Sequence, residues 1–360
     1  MKQSFRDLDW TLLGFSLAIA LLGILQIYSA TRATVWRGAH YKQILWILLG
    51  LAVFWLASRI DYHTLLGRAP LLYLLCVLGL VAVLAVGVVR HGARRWIALG
   101  LFDLQVSEFA KLVLILVVAR YLADLRQDTV SAADLLKIGV LVGVPMLLVM
   151  KQPDLGTALS IAPVAAGALL VAGLKWKHAA GLLLAGALVM PLGWQFLKEY
   201  QKERLITFVD PSRDPRGSGY QLIQSRIAIG AGGLWGKGVG QGTQTQLRFL
   251  PVPHTDFIFS AYAEEHGFAG VLLALALYFV VLMRILSNAQ TAADRAGALI
   301  CVSVGAVLLF HLLVNVGMVI GRMPVTGIPL PMMSYGGSSL LTVFLMLGLV
   351  NSVRLRRFVN

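Results

Sequence analysis

The stretch TLLGFSLAIALLGILQIY, residues 11–28, decides what kind of protein this is. It carries no charge over its whole length, and a helix needs about 17–25 apolar residues to cross the hydrocarbon of a bilayer. Lys2 and Arg6 precede it and small residues follow, which is the outline of a secretory leader. Asp7 and Asp9 spoil the basic start, however, and many more such runs follow. The run therefore reads as an uncleaved first span.

Working outward, runs of similar length lie near 42–58, 70–90, 106–123, 135–150, 155–174, 178–197, 265–286, 296–321 and 337–353. The fifth is the shortest and is interrupted by Pro145. Backbone inside hydrocarbon must satisfy its own hydrogen bonds, so these runs are expected to be helices. The expectation is an all-α polytopic integral membrane protein. It comprises a single domain over 1–360, a bundle of about ten transmembrane helices with one long extracytoplasmic loop at 198–255.

Composition agrees. The chain is 58% hydrophobic and 13% charged, with mean hydropathy +0.78, against about 25% charged in soluble domains. That excludes the two or three soluble domains that 360 residues would otherwise suggest. The net charge of +14 is scattered along the connections and forms no basic stripe, which excludes a nucleic-acid partner. Juxtamembrane Lys and Arg facing anionic lipid explain it. Cys76 and Cys301 lie within apolar runs and read as packing residues.

Basic residues in short connections set orientation. The termini and the loops on their side hold 14, and the opposite short loops hold eight. Both termini are therefore expected in the cytoplasm. RRWIALGLFDLQVSEFAK (94–111), KQPDLGTAL (151–159), the loop ending in HTDF and GRMPVTGIPLPMMSYGGSS (321–339) then share the outer face. In the long loop, Tyr220, Ile223 and Ile227 fall at helical spacing, which predicts a short amphipathic helix on the bilayer surface.

Polar residues at the mouths of these spans are the candidates for chemistry. Asp256 follows His254 and Thr255 where the eighth run opens. An aspartate there could be a simple N-cap. Thr255 could cap equally well, and Glu264 stands eight residues on, about two helical turns away. A carboxylate shielded from water has a raised pKa and suits a general base. Of Glu264 and Glu265, one is expected to face the interior, and register with Asp256 selects Glu264. Glu108 and Lys111 are spaced i, i+3 in the fourth run and can pair, either as a structural salt bridge or in a site. Asp154, beside Lys151, is expected to share a polar cavity with Glu108, Lys111 and Asp256. Arg94, Arg95 and Trp96 precede the fourth run. Trp96 suits an interface anchor, and the paired guanidiniums suit a diphosphate, as do Arg204, Arg213, Arg216 and Lys237 of the long loop, which the sequence does not rank. His40, His63, His91, His178 and His311 show no metal-ligand spacing.

Four motifs carry a resemblance: RRWI…SEFAK, KQPDLGTAL, DPRGSGYQLIQSRIAIGAGGLWGKGVGQGTQTQLRFLPVPHTDFIF (214–259) and NVGMVIGRMPVTGIPLPMMSYGGSS (315–339). On these the chain resembles the SEDS family (shape, elongation, division and sporulation), nearest its rod-shape branch, over essentially all ten runs. Val106 stands where that family usually has Pro, and Val252 where Glu is common.

The resemblance implies a peptidoglycan glycosyltransferase of the bacterial cytoplasmic membrane that polymerises lipid II on the outer face during elongation. It also implies a class B penicillin-binding protein and the elongation machinery as partners. The family's essential aspartate maps onto Asp256, and its acidic residue in E-E-x-G maps onto Glu264. A lipid diphosphate leaves as a stable anion, so one base is enough, whereas a glycosidase needs two carboxylates. The expected mechanism is inverting transfer with Asp256 as base. Arg or Lys residues and a divalent cation, magnesium or manganese with ligands unassigned, steady the diphosphate. A lipid II flippase, its headgroup path lined by Glu108, Lys111 and Asp154, is the alternative. A scaffold that recruits a separate polymerase ranks third.

Overall fold

The apolar runs fold as helices because nothing else satisfies backbone in lipid. The computed structural model describes residues 8–357 apart from 33, 91–92, 99, 101–102, 126–128 and 215–216. Lys2, Arg6, Asp7, His91, Arg126 and Arg216 thus lie outside the described residues. In chain order come α1 (Trp10–Thr31), α2 (Ala39–Arg59), α3 (Tyr62–Gly67) and α4 (Ala69–Val86). Strands β1 (Val88–Arg90), β2 (Ala93–Ala98) and β3 (Asp103–Leu104) follow, then α5 (Val106–Ala123), α6 (Ala132–Lys151), α7 (Leu155–Val171) and α8 (Trp176–Phe196). The long connection holds α9 (Glu199–Val209), a 3-10 turn, α10 (Ser218–Ala231) and α11 (Thr243–Gln246). The chain ends with α12 (Ile258–Gln290), α13 (Arg295–Val319) and α14 (Gly337–Leu355).

Seven of these helices, α1, α2, α4, α6, α12, α13 and α14, are long and apolar enough to cross a bilayer. The expected ten crossings add α5, which carries Glu108, Lys111 and Arg120, the 17-residue α7, and α8. The protein is an all-α polytopic membrane protein with one small antiparallel sheet. That sheet corrects the expected third span: the helix stops at Val86, and β1 pairs antiparallel with β2, Val88 opposite Trp96. Pro145 does not break α6, which runs through it to Lys151.

Caps fix several helix starts. Asp9 accepts from the Leu12 amide, Ser131 and Asp134 form a capping box, and Asp154 and Asp294 cap α7 and α13. Asp9 also ties three helix ends together. It accepts from Arg284 and Asn288 of α12 and from Arg354 of α14, while its amide donates to Asn351.

The core sits around α13 and α14, whose apolar windows are 61% and 72% buried against 22% for α4 and α6. Small residues bring these helices close. Gly348 lies against the Phe54 backbone and Ala57 of α2, and Gly167 of α7 lies against Ala306 of α13. By contrast α8 is largely exposed, with Leu182, Leu183, Leu184 and Leu188 all open to the surroundings.

Candidate active site

Asp256 lies two residues before α12 begins, half-buried, with its backbone held from the core. Asn315 of α13 donates to the Asp256 carbonyl at 3.0 Å and to the Ile328 carbonyl at 2.9 Å. Beside it the 325–330 segment passes close. A Cβ on Gly327 would stand 3.5 Å from Asp256 Oδ2, and Gly156 of α7 packs so tightly that its own Cβ would meet the Thr326 carbonyl. The starts of α7 and α12 and the 320–336 connection therefore converge on one polar pocket wall.

Charged groups line that wall. Asp154, nearly buried, accepts from the Thr157 amide at 3.1 Å and from Gln105 Nε2 at 3.1 Å, with Arg95 Nη1 at 3.7 Å. Arg95 also donates to the Gln152 carbonyl at 3.3 Å and to the Pro153 carbonyl. From α9, Arg204 donates to the Val325 carbonyl at 3.2 Å, and Tyr200 donates its hydroxyl to Pro153 at 2.6 Å. Burial pushes the Asp256 carboxyl up from the usual carboxylate range. The Arg204 charge, the Thr255 hydroxyl and Arg95 oppose the shift, and Asp154 adds to it. The net result is a basic carboxylate.

A second polar set lies within the bundle. Lys111 Nζ donates to Glu108 at 3.0 and 3.1 Å and contacts His311 Nε2 of α13 at 3.2 Å. His311 Nδ1 meets the Pro329 carbonyl at 3.2 Å. The expected Glu108–Lys111 pair thus forms, but with each other and His311 as partners. It meets the Asp256 wall at Ile328 and Pro329, which Asn315 and His311 hold, and through Gln105, whose carbonyl accepts from the Glu108 amide and whose side chain donates to Asp154. A small cavity beside it, lined by Ser339, Thr342 and Met346, has room for about one water.

The remaining candidates are placed differently from one another. Glu264 is fully buried and accepts from five donors of the 237–245 segment: Lys237 at 3.1 Å, the Thr243 hydroxyl at 3.3 Å, the Gln244 amide at 2.9 Å, and the Thr245 amide and hydroxyl at 3.1 and 2.9 Å. The register argument that joined it to Asp256 fails because the helix starts only at Ile258. Glu265, expected on the other face, is buried as well and accepts from Ser29. Just beyond, Gly267 interrupts α12 with φ +65°, a conformation suited to glycine. The Phe268 and Ala269 amides donate instead to Gly233 and Leu234.

His254 packs between Trp36 and Tyr335 at 5.2 and 6.0 Å, and burial holds its pKa at about 4, so the imidazole is neutral near pH 7. Arg94 is exposed and closes α4, donating to the Leu84 and Ala85 carbonyls. Trp96 is half-buried in β2, and Lys151 is exposed at the end of α6.

Sequence reasoning passed over Gln105, Tyr200, His311 and Asn315 and left Arg204 unranked. For two of these a signal existed. His311 and Asn315 are polar residues four apart within an apolar helix, hence on one face, and polar groups in a span ask for a functional reading.

Residues 9–357 match the FTSW_RODA_SPOVE family, described as cell cycle protein. The chain is 40% identical to the peptidoglycan glycosyltransferase MrdB of Escherichia coli (strain K12), covering 99% of this chain and 96% of that protein. It is 35% identical to the peptidoglycan glycosyltransferase RodA of Treponema pallidum (strain Nichols), over 98% of each. Among solved structures, it matches a chain described under "Structural coordination of polymerization and crosslinking by a peptidoglycan synthase complex". That match has TM-score 0.85 and 37% identity, over 98% of this chain and 99% of the other. The rod shape determining protein RodA of Thermus thermophilus matches with TM-score 0.74 and 31% identity, over 98% of both chains.

Proposed function

This chain belongs to the FTSW_RODA_SPOVE family of cell cycle proteins, and from that premise we propose that it is a peptidoglycan glycosyltransferase. It polymerises lipid II on the outer face of the bacterial cytoplasmic membrane during elongation. Ten helices cross the bilayer, both termini are cytoplasmic, and the 198–255 connection is extracytoplasmic. Its partners are a class B penicillin-binding protein and the elongation machinery.

The observation that carries the reading is Asp256: a half-buried carboxylate with raised basicity, held by Asn315 beside Asp154, Arg95 and Arg204. Asp256 takes the proton of the acceptor sugar hydroxyl. The freed oxygen attacks the anomeric carbon of the donor from the side opposite its diphosphate, which departs with the electron pair. The site borders lipid because the substrate is lipid-linked. Among the described residues no three His, Cys, Asp or Glu side chains gather into a metal site. A divalent cation, magnesium or manganese, would accompany the diphosphate and steady its charge.

The flippase alternative leans on Glu108, Lys111 and Asp154. Lys111 pairs with Glu108, and Asp154 caps α7 and accepts from Gln105, so each of these groups is engaged in holding helices together. The test is reconstitution of the full chain with a class B penicillin-binding protein in liposomes carrying lipid II. Wild type is expected to make glycan polymer, with an acid limb above the usual carboxylate range. Asp256→Asn, equally folded, is expected to make none; polymer at the wild-type rate from that variant overturns the reading.

A further inference from the structure

We propose that α9 is a strap across the active site and that its Arg204 is the residue that grips the diphosphate of the lipid-linked donor. The inference rests on the transferase reading above and adds a residue to it.

Geometry singles out Arg204. The strap is pinned to two walls of the site, through Tyr200 to Pro153 beside Asp154, and through Arg204 to Val325. Val325 lies two residues before Gly327, which flanks Asp256 Oδ2, so Arg204 and Asp256 border the same short segment. The Arg204 guanidinium stands 5.8 Å over the Tyr200 ring, which sets its orientation.

Three other cations of the site are committed, while Lys151 stands exposed at the end of α6. Arg94 closes α4, Arg95 serves two carbonyls and Asp154, and Lys111 is paired with Glu108. Arg204, half-buried, spends one Nη1 donor on Val325, and a guanidinium has five N–H donors in a fixed fork. Forked donors match the paired oxygens of a diphosphate.

In the transfer the new bond joins the acceptor oxygen to the anomeric carbon as the bond from that carbon to the phosphate oxygen breaks. The proton passes to Asp256, and the electron pair stays on the diphosphate facing Arg204. Arg204 also acts on Asp256 directly, since its charge is the largest influence opposing the upward push of burial. The other groups facing Asp256 are Asp154 at the start of α7, Arg95 from β2 and the adjacent Thr255.

The test uses the full chain with a class B penicillin-binding protein in lipid II liposomes. It reads initial rates against pH, KM for lipid II, and competition by inorganic pyrophosphate. Arg204→Gln is expected to raise KM about tenfold, the loss of one charge-assisted bond. It should also move the acid limb upward and weaken pyrophosphate competition. Arg204→Lys keeps the charge and loses the fork, so its limb stays while KM rises. A purely structural strap lowers the folded fraction and moves neither the limb nor the competition.

Folded Arg204→Gln with wild-type KM and limb overturns the proposal. If that variant does not fold, Arg204→Lys with wild-type KM overturns it instead. Asp256→Asn separates the two readings. If it is inactive while Arg204→Gln is unchanged, only the role of Arg204 fails; if it is active, the transferase reading fails too.

Discussion

Asn315 holds Asp256 by its backbone: a single amide nitrogen on α13 donates to the Asp256 carbonyl at 3.0 Å and to the Ile328 carbonyl at 2.9 Å. One side chain thus sets the distance between the residue proposed as base and the 325–330 segment that walls it. Asn315→Ala leaves both carbonyls short of a donor, a cost of about 1–3 kcal/mol for a buried polar group. Asn315→Asp is expected to be worse, because a carboxylate cannot donate and repels both oxygens. Thermal unfolding in detergent should rank wild type above Ala above Asp, and polymerisation by the folded fraction should fall in the same order.

The Lys111–Glu108 pair makes a different kind of prediction. Both side chains are almost completely buried, and Lys111 Nζ lies 3.0 Å from Glu108 Oε1. Removing one partner from a buried pair leaves the other charge uncompensated, which costs about 3–5 kcal/mol. Lys111→Met is therefore expected to unfold at markedly lower temperature than wild type. Adding Glu108→Gln should recover part of the loss, since the stranded charge is then gone. A double-mutant cycle that comes out additive would show that the two residues do not act as a pair.

Much of the architecture was legible in the sequence, because crossing a bilayer demands long uncharged runs and nothing shorter imitates them. The β1–β2 pairing was not, since β1 continues the apolar run of α4 without a break in composition. The start of α12 was misplaced for the opposite reason: residues 258–265 carry two buried glutamates whose partners are remote in sequence, the 237–245 loop for Glu264 and Ser29 of α1 for Glu265. Asp256 could be singled out by its motif, and Asp154 by its position at a helix start. The Tyr200–Pro153 and Arg204–Val325 contacts join segments 47 and 121 residues apart, and no local pattern announces such pairs.

Gly156 tests how closely α7 must approach the 325–330 segment. A Cβ there would lie 2.5 Å from the Thr326 carbonyl oxygen and 3.2 Å from Ile328, closer than such atoms tolerate. Gly156→Ala must push the segment away from Asp154, and overpacking of this kind costs about 1–3 kcal/mol. Because the displaced backbone carries Gly327 beside Asp256, activity should drop by more than the loss of folded protein explains. Equal losses in melting temperature and in rate would place the effect in stability alone.

At the other end of the bundle, His63 of α3 bridges two carboxylates, Asp61 at 3.0 Å and Asp294 at 2.7 Å, while Asp61 also meets Arg356 at 3.3 Å. Partial burial alone would lower the imidazole pKa. The hydrogen bonds to Asp294 and Asp61 and their charges outweigh it, so the pKa stands above the ordinary 6.5. A group whose folded pKa is raised favours folding fully below its unfolded value, and that contribution is lost as pH climbs through the folded one. The melting temperature of wild type should therefore decline as pH rises from 6.5 through that higher value. His63→Gln keeps hydrogen-bonding capacity without the titration, and its melting curve should be flatter over the same window. Parallel curves for the two proteins would mean that the bridge between α3 and the start of α13 contributes nothing that depends on the proton.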